Sequence, residues 1–171
     1  DAAASEKEDV PLHKLAEELI AELAPTAIKK QVEVSLDDAD CCVVFGNPGM
    51  LGILIRNLVE NAIRYTPPSG RVDVSLVSVD NTVRLRVADS GPGIPEAERD
   101  KVFARFYRGS EHEDENKENG TGLGLAIVER ICELHRARIE LGESSLQGLQ
   151  IDVFFSTHSE IPSVESVSRA G

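Results

Sequence analysis

Residues 47–66 have the sequence NPGMLGILIRNLVENAIRYT. The apolar residues of this stretch recur at helical spacing and would form one face of a helix: Leu51, Leu54, Ile55, Leu58 and Ala62. Asn47 suits the N-cap and Pro48 suits the first helical position. The helix is expected to end before Pro67-Pro68, because a residue that precedes proline is disfavoured in the helical region.

A polar stripe lies beside that apolar face. Asn57, Asn61 and Arg64 are spaced i, i+4, i+7. Asparagine lowers helix propensity, so two of them one turn apart call for an explanation. A solvated helix face is one interpretation. The other is that the amide oxygens are neutral ligands for Mg²⁺, which prefers oxygen donors, and that Arg64 contacts a phosphate.

The segments on either side predict two more helices and several short strands. Apolar residues from Leu12 to Leu23 follow helical spacing, and Pro25 is expected to stop or kink that helix. A third helix is expected over Leu123–Leu134. The predicted strands are Val32–Leu36, Cys41–Phe45, Val72–Leu76, Val83–Val87, Arg138–Gly142 and Leu149–Phe155. Helices and hairpins without strict β-α-β alternation predict an α+β fold, one sheet with helices on one face.

A turn rich in glycine and proline follows the fourth of these strands. It reads Asp89-Ser90-Gly91-Pro92-Gly93-Ile94-Pro95. An ordinary turn after a strand would explain this composition. Alternatively, the Asp89 carboxylate accepts a hydrogen bond from an exocyclic amine such as that of adenine. Gly91 and Gly93 would then let the backbone approach a flat ring.

A second glycine-rich segment, Gly120-Thr121-Gly122-Leu123-Gly124-Leu125, runs into the third helix. Free N–H groups at a helix N-terminus favour an anion, so this segment predicts a phosphate-binding turn. It is not a P-loop, because no lysine follows. It is not a dinucleotide fingerprint either, because that pattern requires glycine where Leu125 stands.

An aromatic and basic segment, Phe103–Arg108, lies between the two glycine-rich motifs, and an acidic loop follows it as far as Asn119. A solvated, mobile loop is one interpretation. Its place between an adenine site and a phosphate site also suits a nucleotide lid, which the aromatic residues would anchor. Arg105 and Arg108 would then reach phosphates.

Composition narrows the class of ligand. The chain has 171 residues and a formal net charge of −12, so DNA or RNA binding, which needs clustered Lys and Arg, is not expected. A nucleotide polyphosphate would be repelled unless it brought a cation and met local donors. Cys41, Cys42 and Cys132 have neither disulfide nor zinc-ligand spacing and are expected to be buried and reduced.

The ordered set of motifs resembles that of sensor histidine kinases over about Val10 to Phe155. Asn57–Thr66 is similar to their N box, Asp89–Pro95 to their G1 box, Phe103–Arg108 to their F box and Gly120–Leu125 to their G2 box. The resemblance implies the Bergerat-type ATP-binding fold, shared with gyrase, the Hsp90 chaperone and mismatch-repair ATPases. That fold is a two-layer sandwich in which a mixed, mostly antiparallel sheet packs against three helices.

The resemblance also implies roles for individual residues, with ATP and Mg²⁺ as cofactors. Asn61 would be the Mg²⁺ ligand and Asn57 would support it. Arg64 would contact phosphate, Tyr65 would lie against the adenine and Asp89 would accept from its amine. The expected ATP-binding set is Asn57, Asn61, Arg64, Tyr65, Asp89, Gly91, Gly93, Ile94, Arg105, Arg108, Gly120, Thr121, Gly122, Leu123, Gly124 and Leu125.

The residue type at the position of Asn57 distinguishes the branches of this superfamily. Hydrolytic members resemble one another in carrying a glutamate four residues before the metal-binding asparagine, the place that Asn57 holds here. An amide cannot act as a general base near neutral pH, so slow hydrolysis and phosphoryl transfer are expected. Glu60 is a nearby carboxylate but lies on a different helical face.

The phosphoacceptor is expected to lie outside this sequence. None of His13, His112, His135 and His158 has the context H-E-[LIV]-R-T-P that is typical of the acceptor. The expected partners are therefore an upstream dimerisation domain with the acceptor histidine and a cognate response regulator. The full-length protein is expected to be a membrane-anchored homodimer, of which this chain is a cytoplasmic part.

Two rival functions remain open at this point. One is a hydrolytic or serine-directed member of the same superfamily, and the other is a docking module with a degenerate pocket. Asn57 and the segment Phe103–Arg108 disfavour the first, while Asn61, Asp89 and the glycines disfavour the second. The expected organisation is a linker or chain edge at 1–9, the catalytic ATP-binding domain at 10–156 and a polar, disordered tail at 157–171.

Overall fold

The structure, a computed structural model, describes residues 6–37, 42–101 and 123–157. Its helices are α1, α2 and α3, with a 3-10 helix at Glu96–Lys101, and its strands are β1 to β7. In chain order the elements are β1 Glu8–Pro11, α1 Leu12–Lys30, β2 Glu33–Asp37, β3 Val43–Gly46, α2 Pro48–Tyr65, β4 Arg71–Val79, β5 Thr82–Asp89, α3 Leu123–Leu134, β6 Arg138–Glu143 and β7 Leu149–Ser156. None of the helices in these ranges combines the length and the apolar character needed to cross a membrane.

Five strands form one mixed sheet in the order β2-β4-β5-β7-β6. β2 is parallel to β4, and the other three pairs are antiparallel. Alternate residues of the central strands are buried, which is the pattern of a sheet that is covered on one face. The helices of the described ranges supply that cover. The predicted α+β sandwich, with a mostly antiparallel sheet, is confirmed.

The core lies between the helices and this face of the sheet. α2 contributes seven buried residues, and its predicted apolar face is confirmed. The buried residues of α2 are Leu51, Leu54, Ile55, Leu58, Val59, Ala62 and Ile63. As predicted, Asn47 caps α2: its side chain accepts a hydrogen bond from the Met50 N–H at 2.9 Å. Cys42 and Cys132 are buried free thiols, and Cys41 lies outside the described residues.

Pro25 was expected to stop or kink α1. It does not stop the helix, which continues to Lys30. Proline removes one N–H donor and deprives the carbonyl four residues earlier of its partner. That carbonyl belongs to Ala21, and both Ala21 and Pro25 are exposed, so water can hydrate the unpaired group. The helix ends at Gln31, whose φ of 63° is left-handed.

A two-stranded sheet, β1 with β3, was not predicted. Val10 pairs with Val44 in an antiparallel ladder. β1 has only four residues and no apolar alternation, so its conformation depends on its distant partner rather than on its own sequence. The single sheet expected from the sequence is therefore accompanied by a second, smaller one.

His135 ties the end of α3 to the start of α2. Its Nδ1 contacts the Ile131 carbonyl at 2.8 Å, and its Nε2 accepts the Asn47 backbone N–H at 3.0 Å. This pair of contacts requires a neutral imidazole with the proton on Nδ1. Burial lowers the pKa of His135; the nearby Lys7 lowers it further, while the Ile131 carbonyl acts in the opposite direction.

The free energy of unfolding should therefore decrease on mild acidification. The pKa of an imidazole in an unfolded chain is about 6.5, and the pKa of His135 in the folded protein is lower. In between, the unfolded chain binds more protons, so stability falls as the pH drops through this window. Urea unfolding at pH 7.5 and 6.0 measures the loss. His135→Gln should have a smaller pH dependence, and an equal dependence in both proteins would contradict this role for His135.

Candidate functional site

The predicted polar stripe occupies the second half of α2. Asn57, Asn61 and Arg64 are all half-buried. Asn61 Oδ1 accepts a hydrogen bond from Arg64 Nη1 at 3.2 Å. Asn57 Nδ2 donates to the Ile53 carbonyl one turn earlier, at 2.8 Å. The side chains of Asn61 and Arg64 therefore form one polar group near the C-terminal end of the helix.

The C-terminal end of α2 is held by groups from the helix and from outside it. Thr66 is fully buried, and both its N–H and its hydroxyl donate to the Ala62 carbonyl, at 3.1 and 2.6 Å. Lys30, the last residue of α1, donates through Nζ to the Ile63 carbonyl at 2.7 Å and to the Arg64 carbonyl. The last carbonyls of any helix have no partner within the helix, and these donors satisfy them here.

Asp89 is the buried carboxylate at the end of β5, with 6% of its surface exposed. Its Oδ1 accepts from the Gly91 N–H at 2.9 Å and from the Leu149 N–H at 3.0 Å. Both hydrogen bonds that the carboxylate accepts within the described ranges go to this one oxygen. Oδ1 is thus fixed by two backbone N–H groups.

The environment of Asp89 affects its charge in two opposed ways. Burial raises the pKa of its carboxyl group, while the N–H groups of Leu149 and Gly91 lower it. The larger effect is burial. A buried acceptor that backbone groups hold rigidly is suited to recognise a specific donor.

The turn between β6 and β7 supports Asp89, and the sequence analysis missed it. Ser144 Oγ donates to the Asp89 backbone carbonyl at 2.6 Å and accepts from the N–H groups of Leu146 and Gly148. A Cβ added at Gly148 would lie 2.3 Å from both the carbonyl oxygen and Oδ1 of Asp89. Only glycine fits there. Its place in a hairpin turn had an ordinary explanation, so no local signal indicated the contact.

The loop after β5 meets the end of α2, which brings two predicted motifs together. A Cβ added at Gly91 would lie 2.8 Å from the carbonyl oxygen of Tyr65 and 3.1 Å from Asp89 Oδ1. Gly93 has a φ of 74°, a conformation that favours glycine. Tyr65 and Ile94 are both half-buried. The structure therefore brings Asp89, Gly91 and the Tyr65 carbonyl to one place.

The remaining predicted site residues are less completely described. Arg105, Arg108 and the acidic loop lie outside the described residues, as do Gly120, Thr121 and Gly122. Leu123 and Gly124 are the first residues of α3. Leu125 is half-buried and packs against the hydrophobic core.

The donor chemistry of Asn61 suits a hard cation such as Mg²⁺. Its side-chain oxygen is half-buried and neutral, and a carbonyl oxygen has two lone pairs, of which Arg64 engages one. A single amide ligand agrees with the usual coordination of Mg²⁺, in which waters and substrate phosphates supply most of the oxygens. The residues present are therefore compatible with an Mg²⁺-nucleotide complex.

A family model places these residues in a known group of proteins. Residues 46–159 match the model described as histidine kinase-, DNA gyrase B-, and HSP90-like ATPase. The matched range covers the two motifs at the end of α2 and after β5, together with the segment that leads into α3.

Relatives in bacteria are sensor kinases. The chain is 40% identical over 155 residues to the sensor protein kinase PmrB of Pseudomonas aeruginosa, covering 90% of this chain and 32% of that protein. It is 42% identical over 114 residues to the signal transduction histidine-protein kinase BaeS of Escherichia coli, covering 67% of this chain and 24% of that protein. The chain thus spans less than a third of the length of either relative.

Solved structures share the fold over most of both chains. The mycobacterial sensor histidine kinase MprB is 28% identical, with a TM-score of 0.74, and the match covers 88% of this chain and 96% of that one. The ATP-binding domain of PrrB from Mycobacterium tuberculosis is 27% identical, with a TM-score of 0.72, covering 90% and 98%. The chain belongs to the family of histidine kinase-, DNA gyrase B- and HSP90-like ATPases, as a catalytic ATP-binding domain of the sensor histidine kinase type.

Proposed function

We propose that this domain binds Mg²⁺-ATP and donates the γ-phosphate to a histidine on a dimerisation domain of the same sensor kinase. The observation that carries the proposal is the pairing of Asp89 with the end of α2. The Asp89 carboxylate and the Tyr65 carbonyl both lie against Gly91, and Asn61 and Arg64 stand in the same last part of α2 as Tyr65. One end suits a base with an exocyclic amine, and the other suits phosphate with a hard cation.

The adenine end of the site has donors and acceptors in a fixed arrangement. Asp89 Oδ1 is occupied by two backbone N–H groups, so Oδ2 is directed by the backbone rather than by a mobile side chain. Gly91 and Gly148 keep this region free of side chains. We assign Asp89 to the adenine amine, Tyr65 and Ile94 to the ring, and Gly91 and Gly93 to the shape of the pocket.

At the phosphate end, Asn61 is assigned to the metal and Arg64 to phosphate. Arg64 donates to Asn61 Oδ1, so its positive charge lies close to the proposed metal ligand. Phosphate oxygens attract both cations and would draw the guanidinium off the amide. The residues Arg105, Arg108, Gly120, Thr121, Gly122, Leu123, Gly124 and Leu125 stay assigned to the triphosphate and its lid on sequence grounds alone.

Transfer is favoured over hydrolysis because the site offers no general base at the critical position. Asn57 is a neutral amide whose Nδ2 is engaged with the Ile53 carbonyl. Glu60, the nearby carboxylate, pairs with Arg56 at 3.4 Å. Phosphoryl transfer depends mainly on positioning and charge stabilisation, so an acceptor histidine that is brought to the γ-phosphate supplies the missing nucleophile.

The partners of the whole protein follow from this role. The acceptor histidine would lie on a dimerisation domain, and a response regulator would receive the phosphoryl group from it. Sensor kinases such as PmrB and BaeS support these assignments by similarity. We further propose a membrane-anchored homodimer whose catalytic domain lies in the cytoplasm.

Asp89→Asn should weaken ATP binding by about tenfold or more, as expected for loss of a charged hydrogen bond. The amide can still accept at Oδ1, but its nitrogen would place a donor opposite the adenine amine. Titration calorimetry measures the affinity. Asp80→Asn, in the exposed hairpin turn with a φ of 54°, is the matched control and should bind like wild type. Equal affinities of all three proteins would remove Asp89 from the site.

Chelation of Mg²⁺ should also lower ATP affinity. The chain is strongly acidic, so an uncompensated triphosphate is repelled. Asn61→Ala should lose most of this Mg²⁺ dependence, whereas Asn81→Ala, in the hairpin turn, should retain it. If ATP affinity is the same with Mg²⁺ and with excess chelator, the metal assignment is wrong.

Mixing the chain with a separate histidine-bearing dimerisation domain and labelled ATP should yield an acid-labile phosphohistidine. The chain alone should release phosphate slowly, because Asn57 cannot deprotonate water. Brisk steady hydrolysis by the isolated chain would contradict transfer and would favour an ATPase. Phosphate in an acid-stable linkage would favour a serine-directed kinase.

A further inference from the structure

Lys30 makes a long-range polar contact that lies outside the predicted motifs. It is the last residue of α1, yet its ammonium lies at the end of α2, where it donates to the carbonyls of Ile63 and Arg64. Lys29, its neighbour, is exposed. Two adjacent lysines of one helix end thus have different environments, and only Lys30 reaches the proposed nucleotide site.

The position of the ammonium matters because of the charge of a helix end. The last carbonyls of a helix carry a partial negative charge, equivalent to about half an electron. The turn that bears Asn61, Arg64 and Tyr65 is this last turn, so a nucleotide phosphate would approach the unfavourable end of α2. Lys30 places a full positive charge on the carbonyls that present this negative charge.

The backbone that follows Lys30 is hydrogen-bonded to the segment that follows α2. Gln31 accepts the Ser69 N–H through its carbonyl at 2.7 Å, and the Glu33 N–H donates to the Gly70 carbonyl at 3.0 Å. A Cβ at Gly70 would meet Thr66 Cγ2 at 2.3 Å and Ser90 Oγ at 2.9 Å. The end of α1 is therefore bound to α2 and to the turn beyond it, which in turn touches the residue after Asp89.

Lys30 and Arg64 are also close enough to repel each other. Burial lowers the pKa of Lys30, and the Arg64 guanidinium lowers it further. Like charges held together at a half-buried site are relieved by an anion. Arg64 can turn toward such an anion from its hydrogen bond with Asn61, while Lys30 stays on the backbone.

We propose that Lys30 is a positioning residue for the phosphate end of the nucleotide site. It fixes the last turn of α2 and offsets the negative charge of that helix end, so that Arg64 and Asn61 can receive phosphate and its metal. The inference rests on the proposed function, because it concerns the same nucleotide. It adds a residue that lies in none of the four motifs.

Two substitutions of Lys30 separate the effect of its charge from that of its hydrogen bonds. Lys30→Met removes the charge and the hydrogen-bond donor, whereas Lys30→Gln removes the charge and keeps a donor. Lys30→Arg keeps both, and Lys29→Met is the matched control on the same turn. Binding of Mg²⁺-ATP and of adenosine, which has the base without the phosphates, is measured for each protein by calorimetry, together with urea unfolding.

The expected result is a selective loss of phosphate recognition. Lys30→Met and Lys30→Gln should bind ATP about three- to tenfold more weakly, the size expected for a cation at a helix terminus, and should bind adenosine like wild type. The ATP loss should shrink at high salt. Lys30→Arg should restore most of the affinity, and Lys29→Met should change nothing.

Three outcomes would overturn the inference. Unchanged ATP affinity in Lys30→Met and Lys30→Gln would show that the ammonium has no role in phosphate binding. Equal losses for ATP and adenosine, with lower stability, would show a merely structural contact. Failure of the wild-type chain to bind ATP at all would refute the proposed function itself, and this result is distinct from the other two.

Discussion

The last turn of α2 presents carbonyl groups that lack partners within the helix, and the candidate site surrounds the groups that meet them. Thr66 satisfies the Ala62 carbonyl, and Lys30 satisfies those of Ile63 and Arg64. The Tyr65 carbonyl faces Gly91 at a distance that excludes any side chain. Thr66 directly follows α2, whereas Lys30 and Gly91 come from the end of α1 and from the loop after β5, so these two segments meet at the end of α2.

The charge of the chain opposes the binding of a polyphosphate at this end of α2. A net charge of −12 and the negative end of α2 both oppose a polyphosphate. The local cations on the described side of the site, Lys30 and Arg64, oppose that field at short range, where solvent screens charges least. Asp89 adds negative charge to the same region, but burial raises its pKa, and two N–H groups stabilise its anion. The proposed site would thus separate an acceptor for the base from donors for the phosphates.

Local signals in the sequence were enough to predict much of this. The cap at Asn47, the apolar face of α2 and the hairpin β4–β5 follow from short-range patterns, and each is present. The resemblance implied that Asp89 and Tyr65 would both contact an adenine, and the structure places Gly91, two residues after Asp89, against the Tyr65 carbonyl. What sequence reasoning missed depends on tertiary contacts. Ser144 and Gly148 matter only because β7 pairs with β5 and brings their turn against Asp89.

Pro25 is a second case in which tertiary contacts decide the outcome, here against a local sequence rule. Its intrinsic preference predicted that α1 would stop or kink, but the carbonyl left unpaired belongs to the exposed Ala21, and the buried positions Leu19, Leu23 and Ala27 continue across the proline. The helix therefore extends five residues beyond the proline, about 7.5 Å at the rise of an α-helix. That extension is what carries Lys30 to the end of α2. Because Lys30 reaches α2 through a helix that continues past a proline, its proposed role could not be predicted from its own neighbourhood in the sequence.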